Sequence, residues 1–263
     1  MRLEYKYKIP VSKLDLLRKR ISAFVEPDLQ YHENSEYSVK SIYFDTSQLR
    51  FYNEKIEGLK DRRKIRIRWY NELNSQSVLF LEIKKKVINF ISKNRAPVFA
   101  NNYNDFLSEK VNSDFVLDGY GCDNAIGDSE KFIHYLSSLS LRPIILIIYE
   151  REAFFSKFDN RLRITLDKNL RYSFPDFFDM MVSEENFRYP MPIYFIMEIK
   201  FSNGFPKWLQ QIISEFEILR TAISKYTICI DDEKNKLSHP SNLILGINSY
   251  TKLFSTKHQK EEI

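Results

Sequence analysis

The chain has 263 residues, of which 43% are hydrophobic, 29% charged and 15% aromatic, enough apolar material for one large domain or two small ones. Its formal net charge is +5, from 40 basic and 35 acidic residues, so electrostatics must be argued from where the cations stand and not from their total. The longest apolar run, Ile144 to Tyr149, is too short to cross a bilayer, and MRLEYKYKIP opens the chain without an apolar signal region, so a cytoplasmic protein without a targeting segment is expected.

Leu3 to Ile9 alternates, with Glu4, Lys6 and Lys8 on one face and Leu3, Tyr5, Tyr7 and Ile9 on the other, and Pro10 ends this strand. Ser12 is placed as the N-cap of a helix in which Leu14, Leu17, Ile21 and Phe24 recur at helical spacing to about Val25. Tyr37 to Asp45 predicts a second strand, and Ser47 to Glu57 a short helix stopped by Gly58. The third strand is RRKIRIRWY: Arg62, Lys64, Arg66 and Arg68 share one face, and Arg63, Ile65, Ile67 and Trp69 the other. Val78 to Lys86 sets Phe80, Glu82, Lys84 and Lys86 opposite Leu79, Leu81 and Ile83, and a further strand near 89–96 carries Lys93 and Arg95.

Residues 100–128 are richer in Asn, Asp, Gly and Ser, with a helix expected near Asn104 to Lys110 and another from Ser129 to Leu139. Strands resume at Arg142 to Phe154, Arg161 to Asp167 and Ile193 to Phe201. Pro206 opens an amphipathic helix whose Trp208, Leu209, Ile212, Phe216 and Leu219 pack over the outside or plug one end. A last short strand is expected from Tyr226 to Ile230. No linker or repeat divides the chain, so residues 1–252 read as a single domain and residues 253–263 as a polar tail.

Several chemistries are absent from the pattern. There is no Walker-type loop, no GxGxxG, no HExxH and no zinc spacing of Cys and His. Cys122 and Cys229 read as two buried thiols, and His32, His134, His239 and His258 as surface residues. Tyr43 and Phe44 belong to the wall and core, and Asp45 to a turn or cap before Thr46.

What remains is a set of strands with one charged and one apolar face. The charged face either meets water around a small sheet or lines the wet interior of a closed one, and the number of striped strands favours closure, with helices covering the outside. Four cations along one strand repel one another, and folding alone gains nothing from them. A polyanion with closely spaced charges does, because arginine forks match phosphate oxygens and lysine acts as a point charge. Glu198, among these cations, is either an internal counter-ion or the ligand of a divalent ion that also grips phosphate. Nucleic acid is disfavoured as partner, since Trp69, Tyr70 and Tyr149 suit stacking but the net charge is modest and closure buries them.

RLEYKYKI, SVKSIYFD, the pattern G-x-x-x-R-x-K-x-R-x-R-W-Y from Gly58, LEIKKK, YEREAF, RLRITLD, MEIK and SKY occur in one order, from about residue 2 to about residue 230. This order resembles the VTC catalytic domain, a polyphosphate polymerase within the triphosphate tunnel metalloenzyme, or CYTH-like, group. The resemblance implies an α+β fold, mainly antiparallel β: a closed barrel of about eight strands around a basic tunnel, with helices outside and at one end. It implies transfer of the terminal phosphoryl group of ATP, or another nucleoside triphosphate, to a growing inorganic polyphosphate chain. The implied cofactor is a divalent metal, Mn²⁺ or Mg²⁺. By motif, Lys6, Arg66, Arg68, Lys84, Arg151, Arg163 and Lys225 bind phosphates, and Glu198 holds the metal. Arg62, Lys64, Lys86, Arg161 and Lys200, inward by alternation, rank behind them as substrate contacts. The wider group often opens with E-x-E-x-K, whereas RLEYK has Arg2 in the first acidic place and keeps only Glu4. That departure leans away from two-metal hydrolysis; a triphosphatase and a non-catalytic polyphosphate binder remain the alternatives. The chain also lacks the sensor domain and membrane helices of eukaryotic relatives, which leaves room for a separately encoded membrane partner.

Overall fold

The computed structural model describes residues 3–29, 36–74, 76–88, 90–102, 115–174 and 187–237. The helix expected near Asn104 to Lys110, Arg2, the tail beyond Lys252 and three of the histidines lie outside these residues; His134 is exposed, as expected.

Strand β1 is Leu3–Pro10, followed by a 3-10 turn over Val11–Lys13 and helix α1, Leu14–Ile21. No side chain caps this helix, so Ser12 does not serve as its N-cap, and the chain leaves it early to form a three-residue strand β2, Val25–Pro27. Strand β3 is Glu36–Asp45 and helix α2 is Arg50–Ile56. Gly58 follows at φ +70°, a left-handed stop that suits glycine. Strands β4 (Asp61–Tyr70), β5 (Val78–Val87) and β6 (Phe90–Phe99) come next, then helix α3, Ala125–Ser138. Strands β7 (Arg142–Ser156), β8 (Arg163–Ser173) and β9 (Tyr194–Phe201) precede helices α4 (Lys207–Glu215) and α5 (Lys225–Leu237).

Helix α5 corrects the strand expected from Tyr226 to Ile230. TICI is a short β-branched run that either structure can hold, but the buried positions are Tyr226, Thr227, Cys229, Ile230 and Glu233, of which all but Thr227 recur at helical spacing. Of the two thiols, Cys229 is buried and Cys122 only partly so.

One antiparallel sheet runs in the order β1-β9-β8-β7-β3-β4-β5-β6, with β2 paired to β7 beside it. Its apolar face is convex and covered by helices. Leu17 and Ile21 of α1 and Leu209 and Ile212 of α4 bury one half against Ile164, Met197 and Ile199, and Trp208 stacks on Phe24 with ring centres 4.5 Å apart. Phe132 of α3 covers the other half, over Ile65, Ile67, Trp69, Leu81 and Ile83. The third core lies on the concave side, where Tyr226, Cys229 and Ile230 of α5 pack on Tyr43, Ile145, Ile147 and Tyr172 and fill one end.

Closure of the sheet by hydrogen bonds is not seen among the described residues. Strands β1 and β6 end the hydrogen-bonded order, and no pairing joins them. The contact across the gap is instead an ion pair, Lys84 Nζ to Glu4 Oε2 at 3.8 Å.

Candidate functional site

Antiparallel register carries each strand's alternation on to its neighbour, so the charged stripes become one concave surface. Arg62, Lys64 and Arg66 of β4 stand opposite Lys86, Lys84 and Glu82 of β5, and β6 extends the rows with Lys93 opposite Lys84 and Arg95 opposite Glu82. Across the sheet, Lys6 of β1 faces Glu198 of β9 and Glu4 faces Lys200. Arg163 of β8 stands beside Lys200, and Arg151 of β7 beside Asp167.

A few buried carboxylates hold most of these cations. Glu82, 2% exposed, lies 2.6 Å from Arg66, 3.0 Å from Lys93, 3.4 Å from Arg95 and 3.8 Å from Arg68. Burial alone would raise its pKa, but Arg66, Arg68, Lys93 and Arg95 hold it well below the usual carboxylate range. Asp167 accepts from Arg151 at 2.6 and 2.8 Å and from Lys225 at 2.5 Å; against burial, these cations bring its pKa to about 2. Asp28 holds Arg163 at 2.7 Å. Glu198 pairs with Lys200 at 2.5 Å and Lys6 at 3.3 Å, and Lys6 lies 3.0 Å from Glu4. Burial opposes the Lys6 charge, yet Glu198 and Glu4 outweigh it and raise its pKa.

Lys64 differs from all of these. Its ammonium donates to Ser224 Oγ at 2.7 Å, and no carboxylate stands within ion-pair distance among the described residues. Burial, then Lys6, Arg66, Lys84 and Lys55, push its pKa well below the ordinary lysine value. Neighbouring Lys84 is lowered as well, by burial and Lys6 against the pull of Glu4.

The concave surface thus brings together Lys6, Lys64, Arg66, Arg68, Lys84, Arg151, Arg163, Lys200, Lys225 and Glu198, with Arg62 and Lys86 opposite each other at one end of the rows. Arg161 does not join them. It stands in the turn ahead of β8, exposed, with its guanidinium 3.5 Å from Asp159, because the strand starts two residues later than alternation suggested. Lys8 is also exposed, 4.5 Å over the Tyr194 ring.

Tyrosines complete the wall. The Tyr43 hydroxyl accepts from Arg66 at 2.9 Å, so this residue faces the cations as well as the core, and Arg151 and Lys225 both lie over the Tyr149 ring. Sequence reasoning gave no role to Glu82, Asp167 or Asp28, although LEIK and RLRITLD display the first two. Lys55 of α2 escaped it entirely. Lys55 lines, with Glu4, Lys6 and residues Arg220 to Ile223, a cavity of about 340 Å³ at this mouth. Only the folded position of a helix next to β4 puts it there.

The donor chemistry at the Glu198 end would suit a divalent ion only together with substrate oxygens. Two hard oxygen donors, Glu198 and Glu4, stand on either side of the Lys6 ammonium, with Lys200 also on Glu198 and Lys84 near Glu4, and Glu198 is held ionised by Lys200 and Lys6 against burial. Mg²⁺-like ions take one or two carboxylates together with phosphate oxygens and water. Among the described residues no group of three or more His, Cys, Asp or Glu forms a cage by itself.

Known proteins bear on this surface. Subunit 4 of the vacuolar transporter chaperone complex of Schizosaccharomyces pombe is 28% identical over 171 residues, 55% of this chain and 22% of that protein. Subunit 2 of the Saccharomyces cerevisiae complex is 22% identical over 160 residues, 54% of this chain and 19% of that protein. Subunit 4 from Trypanosoma brucei brucei is 24% identical over 159 residues, 53% of this chain and 20% of that protein. The chain spans about a fifth of the length of these curated relatives. Among solved structures, a Hippeastrum protein named as an adenylyl cyclase and described as having a dominant triphosphatase activity covers 87% of this chain and 94% of its own. The two chains are 12% identical and superpose with a TM-score of 0.46. The family model described as the VTC domain matches residues 1–232, which take in every strand of the sheet and the cationic face it builds: this chain belongs to the VTC domain family.

Proposed function

We propose that the concave face binds a chain of phosphates and that the protein is a polyphosphate polymerase, moving the terminal phosphoryl group of ATP or another nucleoside triphosphate to the end of a growing polyphosphate. The observation that carries this reading is Lys64, half-buried among other cations and, among the described residues, without a carboxylate partner, an arrangement that an incoming anion relieves. Membership of the VTC domain family supports it.

In the reaction a terminal oxygen of the acceptor chain forms a bond to the γ-phosphorus, the bond from that phosphorus to the β-bridging oxygen breaks, and the nucleoside diphosphate leaves with the electron pair. An already ionised acceptor needs no general base. The protein's part is positioning and charge stabilisation of a loose phosphoryl group. Arg66, Arg68, Arg151 and Arg163 grip oxygens, each steered beforehand by its carboxylate. Lys6, Lys64, Lys84 and Lys225 add point charges, with Arg62, Lys86 and Lys200 further along the rows. Glu198, with Glu4 beside it, would hold Mn²⁺ or Mg²⁺, which supplies neutralisation of phosphate charge when bound.

A triphosphatase is the second reading, favoured by Glu4, which sits with Glu198 on either side of Lys6 and retains a carboxylate pair at the metal end. The names of the relatives support a place in a complex, with a separately encoded membrane partner. Incubation with ATP and Mn²⁺, followed by gel separation and polyphosphate staining, decides between the readings. Long chains that vanish in Glu198→Ala support the polymerase. Glu198-dependent release of free phosphate without chains replaces it with the hydrolase, and retained polyphosphate binding with neither product leaves a binding module.

A further inference from the structure

The β5–β6 hairpin ends in apolar side chains that the fold leaves uncovered. Val87 is 39% exposed, Ile88 56%, Phe90 81% and Ile91 56%. Leu59, 44% exposed, is close by, since the Ile88 N–H donates to the Lys60 carbonyl at 2.9 Å. Single exposed apolar residues are ordinary; several gathered at one protruding tip mark a contact surface.

The backbone adds a second observation. Val87 pairs with Phe90, so Ile88 is the first residue of a two-residue loop, and its φ is +55°. Turns of this kind favour asparagine or glycine there, and a β-branched residue is strained. The hairpin itself would be better served by asparagine, so the isoleucine side chain earns its place outside the fold.

Charge identifies the partner. Exposed Lys60 and partly exposed Lys85 and Lys86 surround the base of the tip. The nearby acids are Glu57 and Asp61, and Asp61 is already engaged by Arg63 at 3.1 Å and Lys85 at 3.8 Å. An apolar tip with a basic collar matches the interface of an anionic bilayer, where aliphatic and aromatic groups enter the acyl boundary and lysines meet lipid phosphates. We propose that this hairpin tip docks the protein on an anionic phospholipid surface. Because Arg62 and Lys86 face each other just behind the tip, docking turns that end of the cationic face towards the membrane. The docking is independent of catalysis and stands whether the tunnel polymerises, hydrolyses or only binds.

The test is co-sedimentation of the full chain with vesicles of phosphatidylcholine alone and with one part in three phosphatidylserine. The expected result is binding to the anionic vesicles that weakens with added salt, and a loss of about tenfold or more in Phe90→Ser, a side chain whose burial is worth that factor. Ile88→Asn is the sharper variant, since it should keep or improve the thermal midpoint while weakening binding. Absence of binding to either vesicle overturns the proposal. Equal binding by wild type, Phe90→Ser and Ile88→Asn overturns it too, because the concave cations would then account for the attraction.

Discussion

Replacing Glu82 by glutamine removes one charge and leaves four cations in place. In the native protein its carboxylate is 2% exposed and lies within 2.6–3.8 Å of Arg66, Lys93, Arg95 and Arg68. At an effective dielectric of about 20, one such pair at about 3 Å interacts by roughly 5 kcal/mol, and desolvation of the charges takes back much of the sum. Breaking a buried pair from one side costs about 3–5 kcal/mol net. For a domain of this size that lowers the thermal midpoint by about 6–20 °C. The same change deprives the cations of their resident anion, so added tripolyphosphate should bind at least about tenfold tighter than to wild type, a difference of about 1.4 kcal/mol. At a hundred times its dissociation constant the ligand should then restore about 2.7 kcal/mol of the loss. Thermal denaturation with and without tripolyphosphate, paired with calorimetric titration, reads both effects. A variant that is destabilised but neither rescued by tripolyphosphate nor tighter in binding would refute the reasoning, because Glu82 would then be an ordinary structural counter-ion.

Lys64→Met should leave stability unchanged or raised, since it replaces a half-buried amine, without a counter-ion among the described residues, by an apolar chain, while tripolyphosphate affinity falls; urea unfolding and calorimetry check the two halves. Because the Lys64 pKa is lowered in the free protein, phosphate binding between that value and the ordinary lysine pKa should take up a proton, seen as a binding heat that varies with buffer ionisation enthalpy and that loses this dependence in Lys64→Met. The Asp167 carboxyl, lowered to about 2 by Arg151 and Lys225 against burial, contributes about 2 kcal/mol that is complete above the unfolded value near about 4 and is lost as pH falls through 2. Urea midpoints at pH 5 and pH 2.5 should differ less in Asp167→Asn than in wild type. Asp45 accepts the Phe51 and Tyr52 N–H groups at 2.9 and 3.1 Å and the Tyr226 hydroxyl at 2.7 Å, so Asp45→Ala should cost about 2–4 kcal/mol and weaken phosphate binding by loosening α5 and Lys225.

The stripes were legible because a strand's period of two writes its two faces directly into the sequence, and RRKIRIRWY, LEIKKK and MEIK each do so over several residues. Neighbouring strands then had only to pair in register for the cations to meet. Asp45 was likewise readable as a cap, since its place before Thr46 and α2 is local. What escaped has non-local causes. Helix α5 was written as a strand because TICI is too short to show a period, and only its packing inside the sheet's curve decides it. Closure is not legible in the sequence, because alternation says which face is charged and not whether the outer strands meet. Arg161 was lost to a strand boundary two residues off. The carboxylate partners of Arg66 and Arg151 could not be told from other acids until the register joined them, and Asp28 meets Arg163, and Lys55 the mouth, only through the fold.

The central claim is that the concave face is a phosphate channel, and crystals grown with a short polyphosphate test it most directly. The account predicts a row of phosphates along the concave face, with oxygens within hydrogen-bond distance of Lys64, Arg66 and Lys6, and with Lys64 turned from Ser224 towards the ligand. Phosphates found only at exposed cations such as Lys8 or Arg161, with the Lys64–Ser224 contact unchanged, would contradict it.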